Sequence, residues 1–385
     1  MEDIILILLL GIGLNWVSPR VSIPAAAMQV LLGVVIGPGL LGWVLPDDRM
    51  RLLGEVGVVL LLGTAGLHLG LGSLARAGWA GLWVAVLGIL FSFAGGYGFA
   101  LWWTAPHPEA LYIGTALAAT SIGISVEVLR QCGLLESRIG QVVVAAAVVD
   151  DILALYLLAL AHGVLSGDFA LWRVALSALL AFFVVAAVFW VARALGRLSA
   201  THRRSNAGVT RIGGAVVLLL AFAWVTERVG LSLVVGGFFA GLGLGEGLGE
   251  RARQDLARGI ESFVLVLAPF FFVFIGARAQ LNFLTEPAMG VFLFGLLVVA
   301  IVCKILGGLL GAARTGMWPA RFLIGVSMVP RGEVSLIIAS LGFEQTHLSH
   351  HVFMILVFMI IATSVLAPFA MVPLARKHTQ MIEAE

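Results

Sequence analysis

Ala147-Val148-Val149-Asp150-Asp151-Ile152-Leu153 sets two adjacent carboxylates in the middle of an apolar run reaching from about 138 to 163. Roughly 20 apolar residues suffice to cross a bilayer as a helix. A charge at the centre of such a helix costs about 2.5–3.5 kcal/mol even on the milder insertion scale. The run therefore predicts a membrane helix in which the two aspartates serve something other than solubility. The rest of the chain agrees. Of 385 residues, 61% are apolar and 11% charged, against about 25% charged in a soluble domain, and the mean hydropathy is +1.09. A water-soluble globular protein is excluded. The expectation is an all-α polytopic membrane protein, residues 1–385 forming one membrane domain in a lipid bilayer.

Apolar runs outward from this stretch predict thirteen spans, at about 3–17, 19–42, 51–72, 77–103, 108–131, 138–163, 170–196, 209–227, 230–248, 256–277, 286–313, 318–342 and 349–375. The longest polar connections are 197–211 and 249–258, and the glycine-rich run Gly241 to Gly249 reads as a helix end. Acidic Glu2 and Asp3 lack the positive start of a signal peptide, so the first apolar run is expected to be retained. Thirteen spans place the termini on opposite sides. Of the 23 Lys and Arg residues, sixteen fall on the side of the C-terminus and five on the other, with Lys304 and Arg331 at membrane depth. Positive charge marks the cytoplasmic side, which predicts a cytoplasmic C-terminus and an external N-terminus. Basic and acidic residues, 23 and 21, nearly cancel, so nothing suggests nucleic acid as a partner. Cys132 and Cys303 are too far apart in sequence to read as a disulfide framework or thiolate metal site.

An odd span count also permits two six-span halves of opposite orientation, spans 1–6 and 8–13, joined by span 7. Inverted repeats of this kind build transporters, and their best pointer is an interrupted helix at the same place in each half. Ala119-Thr120-Ser121-Ile122-Gly123 in span 5 and Met328-Val329-Pro330-Arg331-Gly332 in span 12 supply such a pair. Each alone is an ordinary flexible point, since Gly and Pro are common in membrane helices. Their matched placement makes them a repeat signature.

Five charges lie near span centres: Asp150, Asp151, Lys304, Arg331 and Glu333. Unpaired, they would cost on the order of 12–17 kcal/mol, so they must pair or line a wet cavity. Three acids against two bases leave one carboxylate in excess, the candidate functional group. Adjacent helical residues diverge by about 100°, so Asp150 and Asp151 take different roles, one pairing with Lys304 and the other facing a cavity reached by water and ions. A desolvated carboxylate beside unwound carbonyls and a Thr or Ser hydroxyl suits a small cation, for which a proton competes. Alternating exposure of that site gives exchange. Lys304 reads equally as a structural partner or as a lysine that itself carries a proton. Arg331 and Glu333 favour a supporting role at the break.

These residues resemble the monovalent cation/proton antiporter superfamily, closest to bacterial sodium/proton antiporters of the NapA type. The likeness rests on Ala119 to Ile124, Ala147 to Leu153, Lys304-Ile305-Leu306-Gly307-Gly308, Pro330-Arg331-Gly332-Glu333-Val334, Ile36-Gly37-Pro38 and Ala367-Pro368-Phe369. It implies a homodimer with a dimerisation part (spans 1–3 and 8–10, about 1–72 and 209–277), a linker span (about 170–196) and an elevator-like core (spans 4–6 and 11–13, about 77–163 and 286–375). By resemblance Asp151 is the cation and proton carboxylate, Na+ being the transported ion bound there. Asp150 then pairs with Lys304, and Thr120 and Ser121 lie at the crossover. Exchange with such an aspartate pair is expected to be electrogenic, in a bacterial cell membrane, with no cofactor. Two departures touch pH response: His68 stands where relatives often carry Glu, and Glu127, three residues before Arg130, adds a carboxylate.

The alternative within the same fold is a potassium/proton antiporter. The chain stops about ten residues after span 13, so no nucleotide-binding domain is expected. An intramembrane aspartyl protease needs carboxylates that converge, and these diverge. A channel is disfavoured by the inverted repeat. No zinc-protease, Cys-x-x-Cys or phosphate-loop motif occurs, and no enzyme activity is expected.

Overall fold

Backbone N–H and C=O groups inside a bilayer must be satisfied within the chain, which favours helix wherever a long segment is apolar. The computed structural model describes residues 2–21, 25–69, 71–166, 171–201, 207–228, 231–278, 287–316 and 318–383, and every regular element among them is helical. In order they are α1 (Glu2–Val21), α2 (Ala25–Ile36), α3 (Asp48–His68), α4 (Leu71–Trp102), α5 (His107–Ala118), α6 (Ile122–Gln131), α7 (Arg138–Ser166) and α8 (Leu171–Thr201). Then follow α9 (Ala207–Arg228), α10 (Leu233–Gly247), α11 (Glu250–Ala277), α12 (Pro287–Gly311), α13 (Trp318–Ser327), α14 (Glu333–Glu344) and α15 (His350–Glu383). Seven stretches among the described residues are long and apolar enough to cross a membrane, the last of them His350–His378. The chain is a helical polytopic membrane protein.

Two expected spans are each divided in two. Span 5 is α5 and α6, separated at 119–121, and span 12 is α13 and α14, separated at 328–332. Elsewhere the limits move. The first helix runs to Val21, a full 20 residues, and the second ends at Ile36, before Gly37-Pro38. The polar stretch expected to be a connection at 249–258 is helical from Glu250 onward. Its charges explain the difference: Glu250 pairs with Arg253 at 2.7 Å and Asp255 with Arg258 at 2.7 Å, both i,i+3, and Glu250 sits in the first turn, where the helix dipole favours an anion.

The chain forms two compact units, one of residues 1–46, 77–170 and 272–385 and the other of 47–76 and 171–271. The expected dimerisation part thus contributes residues to both. Within the second unit α10 packs on α3, α8 and α9. It ends at Gly247, inside the glycine-rich run as expected, and the earlier glycines of that run also pack where neighbouring backbone approaches too closely for any side chain. A methyl group on Gly241 would lie 2.0 Å from the Gly63 carbonyl oxygen, and one on Gly243 2.4 Å from that of Phe189. Small residues are the means by which membrane helices pack backbone to backbone. The first unit holds both interrupted helices, together with α7 and α12.

Candidate functional site

The two breaks meet. Ala119 and Ser121 are extended, with φ −69° ψ 149° and φ −87° ψ 106°, and the Ser121 N–H donates to the Pro330 carbonyl at 2.8 Å. Thr120 Oγ1 donates to Met328 O at 3.3 Å, Ser125 Oγ to Ser327 O at 2.5 Å, and Ser335 Oγ to Ala116 O at 2.9 Å. Pro330 has no N–H to offer a helix, and the carbonyls its break releases are taken by hydroxyls and amides of the other interrupted span. Carbonyls at the ends of α5 and α13 are therefore satisfied from the other interrupted span, which is how irregular backbone persists at membrane depth.

Cationic side chains complete the carbonyl ends. The last carbonyls of a helix carry partial negative charge. At the end of α5, Ala118 O accepts from Lys304 Nζ at 2.7 Å. At the end of α13, Met328 O accepts from Arg331 Nη1 at 3.3 Å, while Arg331 Nη2 reaches Ala300 O on α12 at 3.2 Å. Ser364 Oγ of α15 donates to the Arg331 carbonyl at 2.6 Å. Both basic side chains are fully buried. Arg331 thus ties the unwound backbone to α12. The side chain of Glu333 lies outside the described residues.

Lys304 also reaches α7. Its Nζ lies 3.0 Å from Asp150 Oδ1 and 3.1 Å from Oδ2, an ion pair with no solvent exposure on either side. Asp151, one residue on and 1% exposed, shares the electrostatic surroundings of Lys304 with Asp150 and Arg331. Two carboxylates, two bases, two helix breaks and the hydroxyls of Thr120 and Ser121 are gathered in one unit. The Ser121 hydroxyl, 1% exposed, has no hydrogen-bond partner among the described residues and faces Gly332. The arrangement offers carboxylate and hydroxyl oxygens in a dry setting, the donor set a small hard cation prefers.

Glu127 stands near the end of α6, 7% exposed, accepting from Arg130 Nε at 3.0 Å and Nη2 at 2.9 Å and from Gln131 Nε2 at 2.6 Å. His68 belongs to the other unit, where its Nε2 lies 3.5 Å from Glu261 Oε1. Inspection of the sequence singles out neither Ser125, Ser327, Ser335 and Ser364 nor the Ala118 carbonyl. The serines leave a faint signal, hydroxyls near breaks in apolar helices. A backbone carbonyl leaves none.

Gly332 has φ −152° and no backbone reason to be glycine. Its reason is contact, since a methyl group there would lie 2.6 Å from Ser121 Oγ and 2.7 Å from Ser121 Cβ. Gly332→Ala is expected to destabilise the protein by about 1–3 kcal/mol, the range for overpacking. Adding Ser121→Gly should restore the loss. Thermal unfolding in detergent of the single and double variants reads both, and equal midpoints for Gly332→Ala and the parent would refute the close contact.

The sequence matches the family described as sodium/hydrogen exchanger, transmembrane, over residues 4–377. The chain belongs to that family. It is a family of transporters, not enzymes. The chain is 31% identical over 359 residues to the Na+/H+ antiporter of Enterococcus hirae, covering 91% of this chain and 92% of that one. It is 32% identical over 355 residues to the Na+/H+-K+ antiporter GerN of Bacillus cereus, covering 91% and 90%. Among solved structures, the sodium proton antiporter MjNhaP1 from Methanocaldococcus jannaschii superposes with a TM-score of 0.75 over 97% of this chain and 96% of that one, at 19% identity. At that identity the likeness is one of fold.

Proposed function

We propose that the chain is a secondary active sodium/proton antiporter that exchanges cytoplasmic Na+ or Li+ for external H+, electrogenically, at Asp151. The observation that carries this reading is the full burial of the Lys304–Asp150 pair at the meeting of the two breaks. Lys304 spends its ammonium on Asp150 and the Ala118 carbonyl, which makes the two aspartates chemically unequal. Asp150 is half of an ion pair. Asp151, turned about 100° away on α7, is the carboxylate where cation and proton compete, assisted by Thr120 and Ser121. When the cation binds, Lys304 is freed to release a proton of its own, and more than one proton moves per cation.

In this reading the chain makes thirteen crossings in two inverted halves and works as a homodimer in a bacterial cell membrane, N-terminus outside and C-terminus cytoplasmic. The core of spans 4–6 and 11–13 carries the site across by an elevator motion relative to a dimerisation part of spans 1–3 and 8–10. His68 and Glu127 shape the pH response.

The test is proteoliposome exchange measured with Na+, Li+ and K+ in turn, with and without an imposed membrane potential. Na+ and Li+ are expected to drive proton movement, faster when the potential favours net charge transfer. The second reading, potassium/proton exchange, is favoured by the potassium in the printed name of GerN. A response to K+ alone would overturn sodium exchange in its favour, and a rate indifferent to potential would overturn electrogenicity.

A further inference from the structure

Gln131 is the last residue of α6, and its side chain reaches a helix outside the interrupted pair. Its Oε1 accepts from the N–H of Ala25, the first residue of α2, at 3.4 Å. Its Nε2 donates to Glu127 Oε1 at 2.6 Å. Turned over, the amide would set its hydrogens against the Ala25 N–H and its oxygen against a carboxylate. Glu127 therefore fixes which way the amide faces. Arg130 fixes Glu127 in turn, with a bond to each carboxylate oxygen. The first N–H groups of a helix have no partner within it and carry partial positive charge. At Ala25, α2 meets that need with a side chain of α6. All of these residues belong to one compact unit.

The other neighbours of α2 hold it differently. Buried Gln29 donates to Gly11 O at 3.0 Å and to Asn15 Oδ1 at 3.1 Å, both on α1. A methyl group on Gly33 would lie 2.2 Å from Val273 O, and one on Gly276 2.0 Å from Val30 O. The end of α11 and α2 thus touch backbone to backbone, the close packing that small residues permit in membranes. Toward α6 and α15 the contact is of another kind. Arg376 of α15 lies within electrostatic reach of Cys132, the residue after Gln131. Arg130, Arg376 and the N-terminus of α2 bring positive charge to this corner, and Glu127 is the anion held among them.

We infer that Gln131 latches α6 to the N-terminus of α2 in one end state of the transport cycle, with Glu127 as the positioning residue that aims its amide. The inference rests on the proposed elevator motion. In that reading α1, α2 and α11 are spans 1, 2 and 10 of the dimerisation part, and α6 and α15 are spans 5 and 13 of the core. A hydrogen bond weakens steeply beyond about 3.2 Å or off line, and this one is already long. A shift of α6 along α2 by an ångström or two breaks it. The latch therefore exists in one end state only and holds the protein there.

Gln131→Ala removes the acceptor. The equilibrium between end states should then move away from the latched one by roughly twofold to fivefold, the worth of one weak hydrogen bond. Apparent affinity on each side of the membrane scales with the population of the state open to that side. The apparent Na+ affinity should therefore fall on one side and rise on the other. Glu127→Ala should shift both in the same directions as Gln131→Ala. A residue that acts through Gln131 has no further effect once the glutamine is gone.

Apparent Na+ affinity is measured in right-side-out and everted membrane vesicles for the parent, Gln131→Ala, Glu127→Ala and the pair, with thermal unfolding alongside. Opposite shifts on the two sides, with Glu127→Ala adding nothing in the Gln131→Ala background, support the inference. Unmoved affinities, shifts of the same sign on both sides, or a fall in stability alone overturn it. An effect of Glu127→Ala that persists without Gln131 overturns the positioning role. The motion beneath is tested separately, with Ala25→Cys/Gln131→Cys in a Cys132→Ser/Cys303→Ser background, its thiols joined by a short reducible bridging reagent. Arrest of exchange on bridging, reversed by reductant, is the expected result and supports the motion. A bridged protein that exchanges as fast as the unbridged one means that α2 travels with α6, and removes the elevator reading together with the latch.

Discussion

Asp151→Asn is expected to reduce cation-driven proton exchange to the level of protein-free liposomes while the protein remains folded. Asn keeps the shape of the side chain and removes both its charge and its capacity to take up a proton. A cation bound in a dry site depends on that charge, because the neutral hydroxyls and carbonyls around it do not neutralise it. The fold should survive. The ion pair of Lys304 with Asp150 and the bonds that join the two breaks involve other atoms. The measurement is fluorescence dequenching on adding Na+ or Li+, with the thermal midpoint as control. Exchange at the parent rate in a folded Asp151→Asn protein would sink the mechanism.

Lys304→Ala is expected to act on stability and stoichiometry more than on exchange as such. Removing one member of a buried pair leaves the other charged in a dry place, a loss of about 3–5 kcal/mol. It also uncaps Ala118 O at the end of α5. Asp150 can escape the penalty by holding a proton, after which the proton bound to Lys304 no longer takes part and each cycle moves less net charge. One elementary charge across 100 mV is worth about 2.3 kcal/mol. The residual exchange of Lys304→Ala should therefore lose its response to an imposed potential, whereas the parent keeps it. Adding Asp150→Asn should return part of the lost stability, since the orphaned charge is gone. A Lys304→Ala protein as stable as the parent and equally sensitive to potential would remove the lysine from the mechanism.

Much of this was legible in the chain itself. Two aspartates in the run 138–163, a lysine in 286–313 and a Pro-Arg-Gly-Glu run in 318–342 stand out because charged letters are rare in apolar segments. Their cost in a membrane makes them informative. The breaks were visible as Thr-Ser at 120–121 and Pro330. What the letters did not reveal follows a pattern. The polar stretch from Glu250 reads as a connection and is helix, held by i,i+3 pairs that hydropathy alone does not weigh. The glycine run from 241 reads as a helix end, which it holds at Gly247; that it is also a packing surface could not be read, because the approach of Gly63 is a fact about another helix.

The sequence by itself determined that this is a helical membrane protein with a surplus of buried acid, and where its helices must yield. Composition and the position of each charge are local properties, and the cost of burying a charge applies before any contact is known. The tertiary structure alone decided which aspartate Lys304 takes, across 154 residues of chain. It also decided that the lysine caps α5 and that Arg331 spans from the break to Ala300. Carbonyls have no letter, and a hydrogen bond has a direction that only the placing of distant helices supplies.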